Sequence, residues 1–559
     1  GSIVGETDLP LGSVSMAFQS GGFGFAIATL AAAEGVGFRT CISTGNEADV
    51  TTPDLLDAFI DDPETRVCSA YIEGVRDGRQ LMAVGRRALE AGKPIILWKG
   101  GNTERGAKAA ASHTANLTGR YDIYQAAFRQ AGIIEAHDVQ EMADLFKLFT
   151  TGRSPAGRSI GVLSISGGSA IVFADRAIAD GLELPDFSPE TAEKLADIVP
   201  AFGSAANPVD ITAGVFNDIS LFTRALEVVL ADPMIDQLAL LLASIPGKTA
   251  EIAAQAIADV STRTDKPILV GWSVRRERAS TGYAILEQAG IPIVPTPVRL
   301  AHAAAESARY ADLRRRYAGR GLWPATPPPE HSAIADSASG TLSERDSKLA
   351  LATAGVPVSH DVVISGDQPV ADRVSALRFP VVAKLLSPDI AHKSDVGGVA
   401  LSLADAADLE AAIRTMRTRV RQERPQARID GILVSEMIHD GVEAIVGIVQ
   451  DETFGPVVAF GLGGVFAEVL RDITYRIAPF DTLTAREMLD ELRGRSLFEG
   501  VRGAAPRDLE ALAETLACIS RFAWNHRHRL LELDINPLMV RPEGLGVVAV
   551  DALMIVNPA

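Results

Sequence analysis

The sequence predicts a multidomain α/β protein in which two doubly wound, parallel-sheet domains precede an α+β domain. Three observations point there. The chain has 559 residues, too many for one core and enough for roughly three to five units. Short β-rich runs alternate with helical patterns twice over in the first 320 residues. A proline-rich stretch of irregular composition then separates these from the rest.

Residues 1–152 carry the runs SVSMAF, RTCIST, CSAYIE and PIILWK, alternating with helical patterns such as GRQLMAVGRRALEAG. That alternation is the mark of βαβ units around a parallel sheet. Residues 153–320 repeat it through SIGVLSIS, DQLALLLASI and KPILVGWS. Both series open with an apolar strand followed by glycines, AFQSGGFGFA and SISGGSAIVFA, an architectural repeat without a clean sequence period. Residues 321–342 hold four prolines among small polar residues and predict an exposed linker. In residues 343–559, Ser343 is placed to cap a helix through KLALATAG. The strands FPVVAKLL, GILVSEMI, AIVGIVQ and PVVAFGLG follow.

A formal charge of −18 and a pI near 5.1 argue against nucleic acid or an anionic membrane as the main partner, since both reward a basic surface. Cys41, Cys68 and Cys518 are scattered, with no CxxC spacing, so neither a disulfide framework nor a zinc site is indicated and a reducing cytoplasm is the expected compartment. The longest apolar stretch, Gly21 to Ala33, is too short to span a bilayer. The opening Gly-Ser, without a starting methionine, reads as a cloning scar or a proteolytic start.

Several motifs could carry chemistry. Ser20-Gly21-Gly22 and Ser166-Gly167-Gly168 each follow a strand and open a helix, where free backbone N–H groups and the helix dipole can cradle a phosphate. A simple tight turn is the competing reading for either one. His113, in a loop of small residues after the strand PIILWK, has room for a ligand or a covalent group at the usual ligand edge of a parallel sheet. A lone histidine is more often structural. Glu73, ending another strand, could accept the N–H of one ring nitrogen and leave the other nucleophilic. Lys384, followed by a polar, glycine-containing segment, suggests a contact to the α- and β-phosphates of a nucleotide. Asp534, Asn536 and Asp551 are hard oxygen ligands suited to Mg²⁺, or else turn-forming residues beside Pro537.

Taken together, QSGG, STGNEADV, YIEG, KGG, SHTANLTG, SGG and NPVDITAG resemble the ligase domains of ADP-forming acyl-CoA synthetases, relatives of succinyl-CoA synthetase. FPVVAKLLSPDIAHKSDVGGV, FGPVVAFGLGGVFAEVL and ELDINPL resemble that family's ATP-grasp domain. The resemblance covers nearly the whole chain. It implies two flavodoxin-like ligase domains and an ATP-grasp domain, and synthesis of acyl-CoA from a carboxylic acid, CoA and ATP through a phosphohistidine and an acyl phosphate. It further implies His113 as the phosphate carrier with Glu73 orienting it, and His392 as a second carrier with Asp534 as its carboxylate partner. Lys384, Glu436 and Glu443 become nucleotide-contacting positions, and Asn536 and Asp551 the Mg²⁺ ligands.

One departure goes with it: the family begins with a CoA-binding domain, and this chain starts where that domain should have ended. The alternative reading is a scaffold that has lost catalysis and only senses nucleotide or acyl-CoA, or serves an acyltransferase. An AMP-forming ligase would need a TSGTTG-like loop, which is absent from the sequence, as is a GxxxxGK[ST] P-loop. The resemblance also implies a homo-oligomer, a dimer by the habit of relatives, while no spacing reports which acid is used.

Overall fold

The computed structural model describes residues 9–106, 108, 119–321, 323, 333–366, 370–387, 389–390, 396–464, 472–500 and 503–558. The first sheet contains β1 (Leu11–Phe18), β2 (Phe38–Ser43), β3 (Val67–Ile72), β4 (Ile95–Lys99) and β5 (Ile134–Glu135), all parallel, in the order β2-β1-β3-β4-β5. Interleaved with these strands in the chain are α1 (Gly21–Ala33), α2 (Thr52–Asp61), α3 (Gly78–Ala91), α4 (Tyr121–Ala131) and α5 (Val139–Thr150), of which α4 packs in the second unit described below. The second sheet contains β6 (Ile160–Ser164), β7 (Val209–Asp210), β8 (Gln237–Leu242), β9 (Ile268–Trp272) and β10 (Ile293–Val294), in the order β10-β9-β8-β6-β7. With it come α6 (Gly167–Ala179), α7 (Pro189–Ala196), α8 (Ile219–Ala231), α9 (Gly247–Ser261), α10 (Ser280–Gln288) and α11 (Pro297–Arg316). Counted within each domain, both orders are 2-1-3-4-5, the doubly wound pattern whose ligand crevice opens between the first and third strands. The central strands are apolar on both faces because helices cover both, as in β6 and β8, where every residue is buried.

Two compact units result. One comprises residues 1–121 and 131–321, with both parallel sheets; the other comprises 122–130 and 322–559. The second unit holds β11 (Gly340–Thr341), β12 (Asp361–Ile364), β13 (Val381–Leu386), β14 (Val399–Leu403), β15 (Gly431–Glu436), β16 (Val442–Asp451), β17 (Gly455–Leu462), β18 (Ile473–Ile477), β19 (Leu530–Val540), β20 (Val547–Ala549) and β21 (Ala552–Val556). They form an antiparallel sheet ordered β11-β21-β19-β16-β17-β18, with β20 also on β19, and a smaller one ordered β12-β15-β13-β14. Its helices are α12 (Glu344–Thr353), α13 (Val370–Arg373), α14 (Ala406–Glu423), α15 (Thr482–Asp490) and α16 (Leu509–Asn525). Leu512, Leu516, Ile519 and Phe522 of α16 share a core with Val446, Ile448, Leu533 and Ile535 of the larger sheet, while α14 covers the smaller one through Leu409, Ile413, Met416 and Val420. Ser343 caps α12, its hydroxyl accepting from the Asp346 N–H.

Two expectations change. The stretch read as an exposed linker already belongs to the second unit from residue 333. Ile334 is buried in its core, Arg529 donates to the carbonyls of Ile334, Ala335 and Ala338, and Gly340–Thr341 form an edge strand on β21. A single apolar residue and a two-residue strand leave no periodicity to read. Residues 122–130, expected with the first domain, also pack in the second unit. There the Tyr124 ring lies edge-on to Phe454 with centroids 5.0 Å apart, and the Gln130 amide both donates to and accepts from the backbone of Ile477.

Candidate active site

The crevice of the first sheet opens between β1 and β3, and the chain at that edge is held by two buried polar side chains. Gln19, directly after β1, accepts the Glu73 N–H at 2.6 Å and the Gly74 N–H at 3.3 Å, and donates to the Gly74 carbonyl at 2.7 Å. Lys99, the last residue of β4, donates to the carbonyls of Glu73 at 2.9 Å and Gly100 at 2.6 Å. Burial pulls the Lys99 ammonium down to about 8, while the charges of Glu135 and Glu73 act against that. The Glu73 backbone is therefore fixed from both neighbouring strands. Its Oε2 is buried and has no hydrogen-bond partner among the described residues. A buried carboxylate oxygen without a donor is costly.

Beside it α1 begins. Ser20 is its extended N-cap, yet the hydroxyl makes no capping bond and the first turn carries no acidic residue. The N-caps Thr51 of α2, Asp77 of α3 and Asp138 of α5 all cap through their side chains. The first N–H groups of α1 are thus not met by a side-chain cap. The glycines differ in purpose. A Cβ on Gly24 would lie 2.1 Å from the Phe18 ring, so that glycine seats helix on strand; a Cβ on Gly22 would meet nothing within 4 Å.

The second sheet repeats this. Ser166 N-caps α6 without a side-chain bond, and a Cβ on Gly168 would also meet nothing within 4 Å. On Gly167 it would lie 2.9 Å from Oδ2 of Asp210, which is in the NPVDITAG run. Asp210 Oδ1 accepts the Thr212 N–H at 3.0 Å, and Thr212 has φ +59°, a conformation non-glycine residues rarely adopt.

In the second unit, Lys384 on β13 donates to Glu344 Oε1 at 2.7 Å and Asp551 Oδ2 at 2.9 Å. Burial alone would lower its pKa, but the two carboxylates outweigh that and hold it above the ordinary lysine value. The Asn536 N–H donates to the Asp551 carbonyl, bringing both predicted metal ligands together on β19 and the entry to β21. Asp534, on β19, has its pKa raised by burial and by the charges of Glu532 and Asp551. Glu436 ends β15, where Oε1 accepts the Arg378 N–H. Glu443 lies on β16, its Oε2 2.8 Å from where a Cβ on Gly464 would stand. No hydrogen bond or ion pair among the described residues joins those two glutamates to the Lys384–Asp551 cluster. No group of three or more His, Cys, Asp or Glu side chains is arranged to hold a metal among the described residues. An Asp and an Asn on backbone-bonded neighbouring strands are nevertheless oxygen donors of the kind Mg²⁺ takes, one or two from the protein with phosphates and water completing its shell, and Asp551 Oδ2 is held by Lys384 in this structure.

His113 and His392 lie outside the described residues. Sequence reasoning missed Gln19, Lys99, Glu344 and Lys348. Glu344 and Lys348 are spaced i, i+4 on α12, an orientation that supports a helix. Lys348 is almost wholly buried, bridging Asp361, Ser359 and the Val550 carbonyl. That spacing was the available signal. For Gln19 and Lys99 the signal was a long polar residue closing an apolar strand.

Residues 11–149 match the succinyl-CoA ligase-like flavodoxin domain, residues 160–311 the ligase-CoA domain, and residues 333–556 the ATP-grasp domain. An ADP-forming acetate–CoA ligase of Archaeoglobus fulgidus is 34% identical over 96% of this chain and 77% of its own length. A trans-feruloyl-CoA synthase from an unknown prokaryotic organism is 31% identical over 98% and 76%. Among solved structures, the dinucleotide-forming acetyl-coenzyme A synthetase 1 of Ca. Korarchaeum cryptofilum, in complex with phosphate and ADP, is 33% identical with a TM-score of 0.50, covering 55% of this chain and 66% of that one. Matching such relatives along almost its full length, the chain belongs to the ADP-forming acyl-CoA ligases.

Proposed function

We propose that this chain activates a carboxylic acid by passing the γ-phosphoryl group of ATP through His113 to the acid's carboxylate, for transfer of the acyl group to CoA. The observation that carries this reading is Glu73, clamped by Gln19 and Lys99 with a buried oxygen that has no donor among the described residues.

In the nucleotide region, Lys384 contacts phosphate oxygens, with Glu436 and Glu443 as further nucleotide contacts. Asn536 and Asp551 would hold Mg²⁺, which would neutralise phosphate charge when bound. His392, partnered by Asp534, is a second carrier of the phosphoryl group. At the acyl site, Glu73 accepts the N–H of one His113 ring nitrogen, so the other presents its lone pair. That nitrogen bonds to phosphorus as the P–O bond to the departing ADP, or the P–N bond to a donor imidazole that leaves with its electron pair, breaks. The N–H facing Glu73 stays in place, so the phosphorylated ring is an imidazolium. A carboxylate oxygen of the acid then attacks phosphorus, the N–P bond breaks, and the ring leaves as neutral imidazole with its electron pair. The acyl phosphate is open to the CoA thiolate, which expels phosphate.

The uncapped N-termini of α1 and α6, with Ser20, Gly21, Gly22, Ser166, Gly167 and Gly168, supply N–H groups to the phosphoryl oxygens. Acids from acetate to aryl acids are within reach of the family, since relatives are named for acetate and for trans-ferulate. Hydroxylamine traps an acyl phosphate as its hydroxamate without CoA. With Mg²⁺ and ATP, the full chain should form hydroxamate from its acid, and His113→Ala should abolish it. Undiminished hydroxamate from His113→Ala would refute the relay.

A further inference from the structure

Three aromatic rings stand at the same crevice, unassigned to any step. Tyr71 and Trp98 are register partners near the ends of β3 and β4, and Phe23 is the third residue of α1. The three are mutually edge-to-face: the Phe23 centroid lies 5.0 Å from Tyr71 and 5.3 Å from Trp98, with 5.8 Å between Tyr71 and Trp98. They sit one or two residues from the groups that handle phosphate and histidine: Gly22 beside Phe23, Glu73 beyond Tyr71, Lys99 and Gly100 beyond Trp98. Tyr71 is pressed to the turn itself, since a Cβ on Gly100 would lie 2.6 Å from its Oη. Its hydroxyl pKa is raised by burial and by the Glu73 carboxylate, which places the two groups in one another's field.

These rings are not core filler. Phe18, one strand residue away from the turn, is fully buried, whereas Phe23 is 39% exposed and Tyr71 and Trp98 are half-buried. Large partly wetted rings at a site for small charged groups cost apolar exposure unless a ligand covers them. A one-carbon tail would cover little of them. A planar ring offered edge or face to a perpendicular trio gains stabilisation from each ring contact beyond its buried area.

We infer that Phe23, Tyr71 and Trp98 form the wall that receives the acid's substituent, and that the acid is an aryl or arylalkyl carboxylic acid. This rests on the relay reading for the place of the carboxylate, at the N-terminus of α1 beside Glu73. The rings on one side and the α1 N–H groups on the other match the two ends of such a molecule.

Calorimetric titration of the full chain with phenylacetate and with acetate tests this without turnover. Phenylacetate should bind about tenfold more tightly, near the upper end of what one ring contact supplies. Phe23→Ala and Trp98→Leu should each cut that ratio by about tenfold, while Phe202→Ala, at a ring 81% exposed elsewhere, should leave it unchanged. A ratio near one in the unaltered chain, or one untouched by Phe23→Ala, overturns the assignment. Hydroxamate formation on the same preparation separates the two readings. Aryl preference in binding without ATP-dependent hydroxamate removes the relay alone; hydroxamate from acetate with no aryl preference removes the aryl assignment alone.

Discussion

Glu73 shows how a backbone clamp aims a side chain. Gln19 satisfies the N–H groups of Glu73 and Gly74, so Gln19→Ala leaves them unpaired, and a shift of the carboxylate by an ångström is enough to cost about tenfold to a hundredfold in rate. Hydroxamate turnover of Gln19→Ala should fall within that range at an unchanged KM for ATP, with Gln19→Glu recovering less than half of the loss because it cannot donate to the Gly74 carbonyl. A fall in ATP affinity instead would place Gln19 elsewhere in the cycle. A second residue acts through charge. His302 on α11 pairs with Glu141 of α5 and Asp180 after α6, each at 2.9 Å. The Glu141 bond, opposed by burial and aided by Asp180, raises the ring to about 9 from 6.5. Because the folded value is the higher one, this stabilisation is complete below pH 6.5 and is lost as pH climbs through about 9. The melting-temperature gap between the unaltered chain and His302→Gln should be several degrees at pH 6 and close by pH 10; a gap independent of pH would contradict it. Neither network was legible in the sequence, because their partners stand 54 and 161 residues apart.

At the scale of elements, the two strand-to-helix turns were legible and their meaning was not. Glycine pairs after apolar strands marked α1 and α6, but sequence alone left a tight turn and a phosphate cradle equally open. The space around each glycine decides what a methyl group would do. On Gly24 it would strike the Phe18 ring, and on Gly22 and Gly168 it would meet nothing within 4 Å. Gly22→Ala and Gly168→Ala should therefore keep or raise stability, by about 0.4–1 kcal/mol from the stiffer unfolded chain. Hydroxamate turnover should fall at least about tenfold in each, since the added methyl enters ligand space. Gly24→Ala should lower the melting temperature by several degrees. Full turnover in both Gly22→Ala and Gly168→Ala would return these turns to a purely structural role.

Across the whole molecule, periodicity revealed both doubly wound sheets, where burial on both faces leaves long apolar runs, and β13, β15, β16 and β17 of the eleven strands among the second unit's described residues. The start of the second unit and the allegiance of residues 122–130 depended on tertiary contacts, Ile334 in the core and Gln130 on Ile477, which no local pattern announces. The nucleotide region shows the same division. ELDINPL singled out Asn536, while Glu344, which shares Lys384 with Asp551, comes from a helix that read as ordinary. The central claim joins these parts: phosphate from ATP comes to rest on His113. The most direct measurement is peptide mass spectrometry of the full chain after brief exposure to Mg²⁺ and γ-labelled ATP, digested at alkaline pH where N–P bonds last. Label on the peptide containing His113, lost in acid, retained in base and removed by adding the carboxylic acid, is the expected result. Label that never reaches that peptide, in a preparation that makes hydroxamate, would contradict the relay.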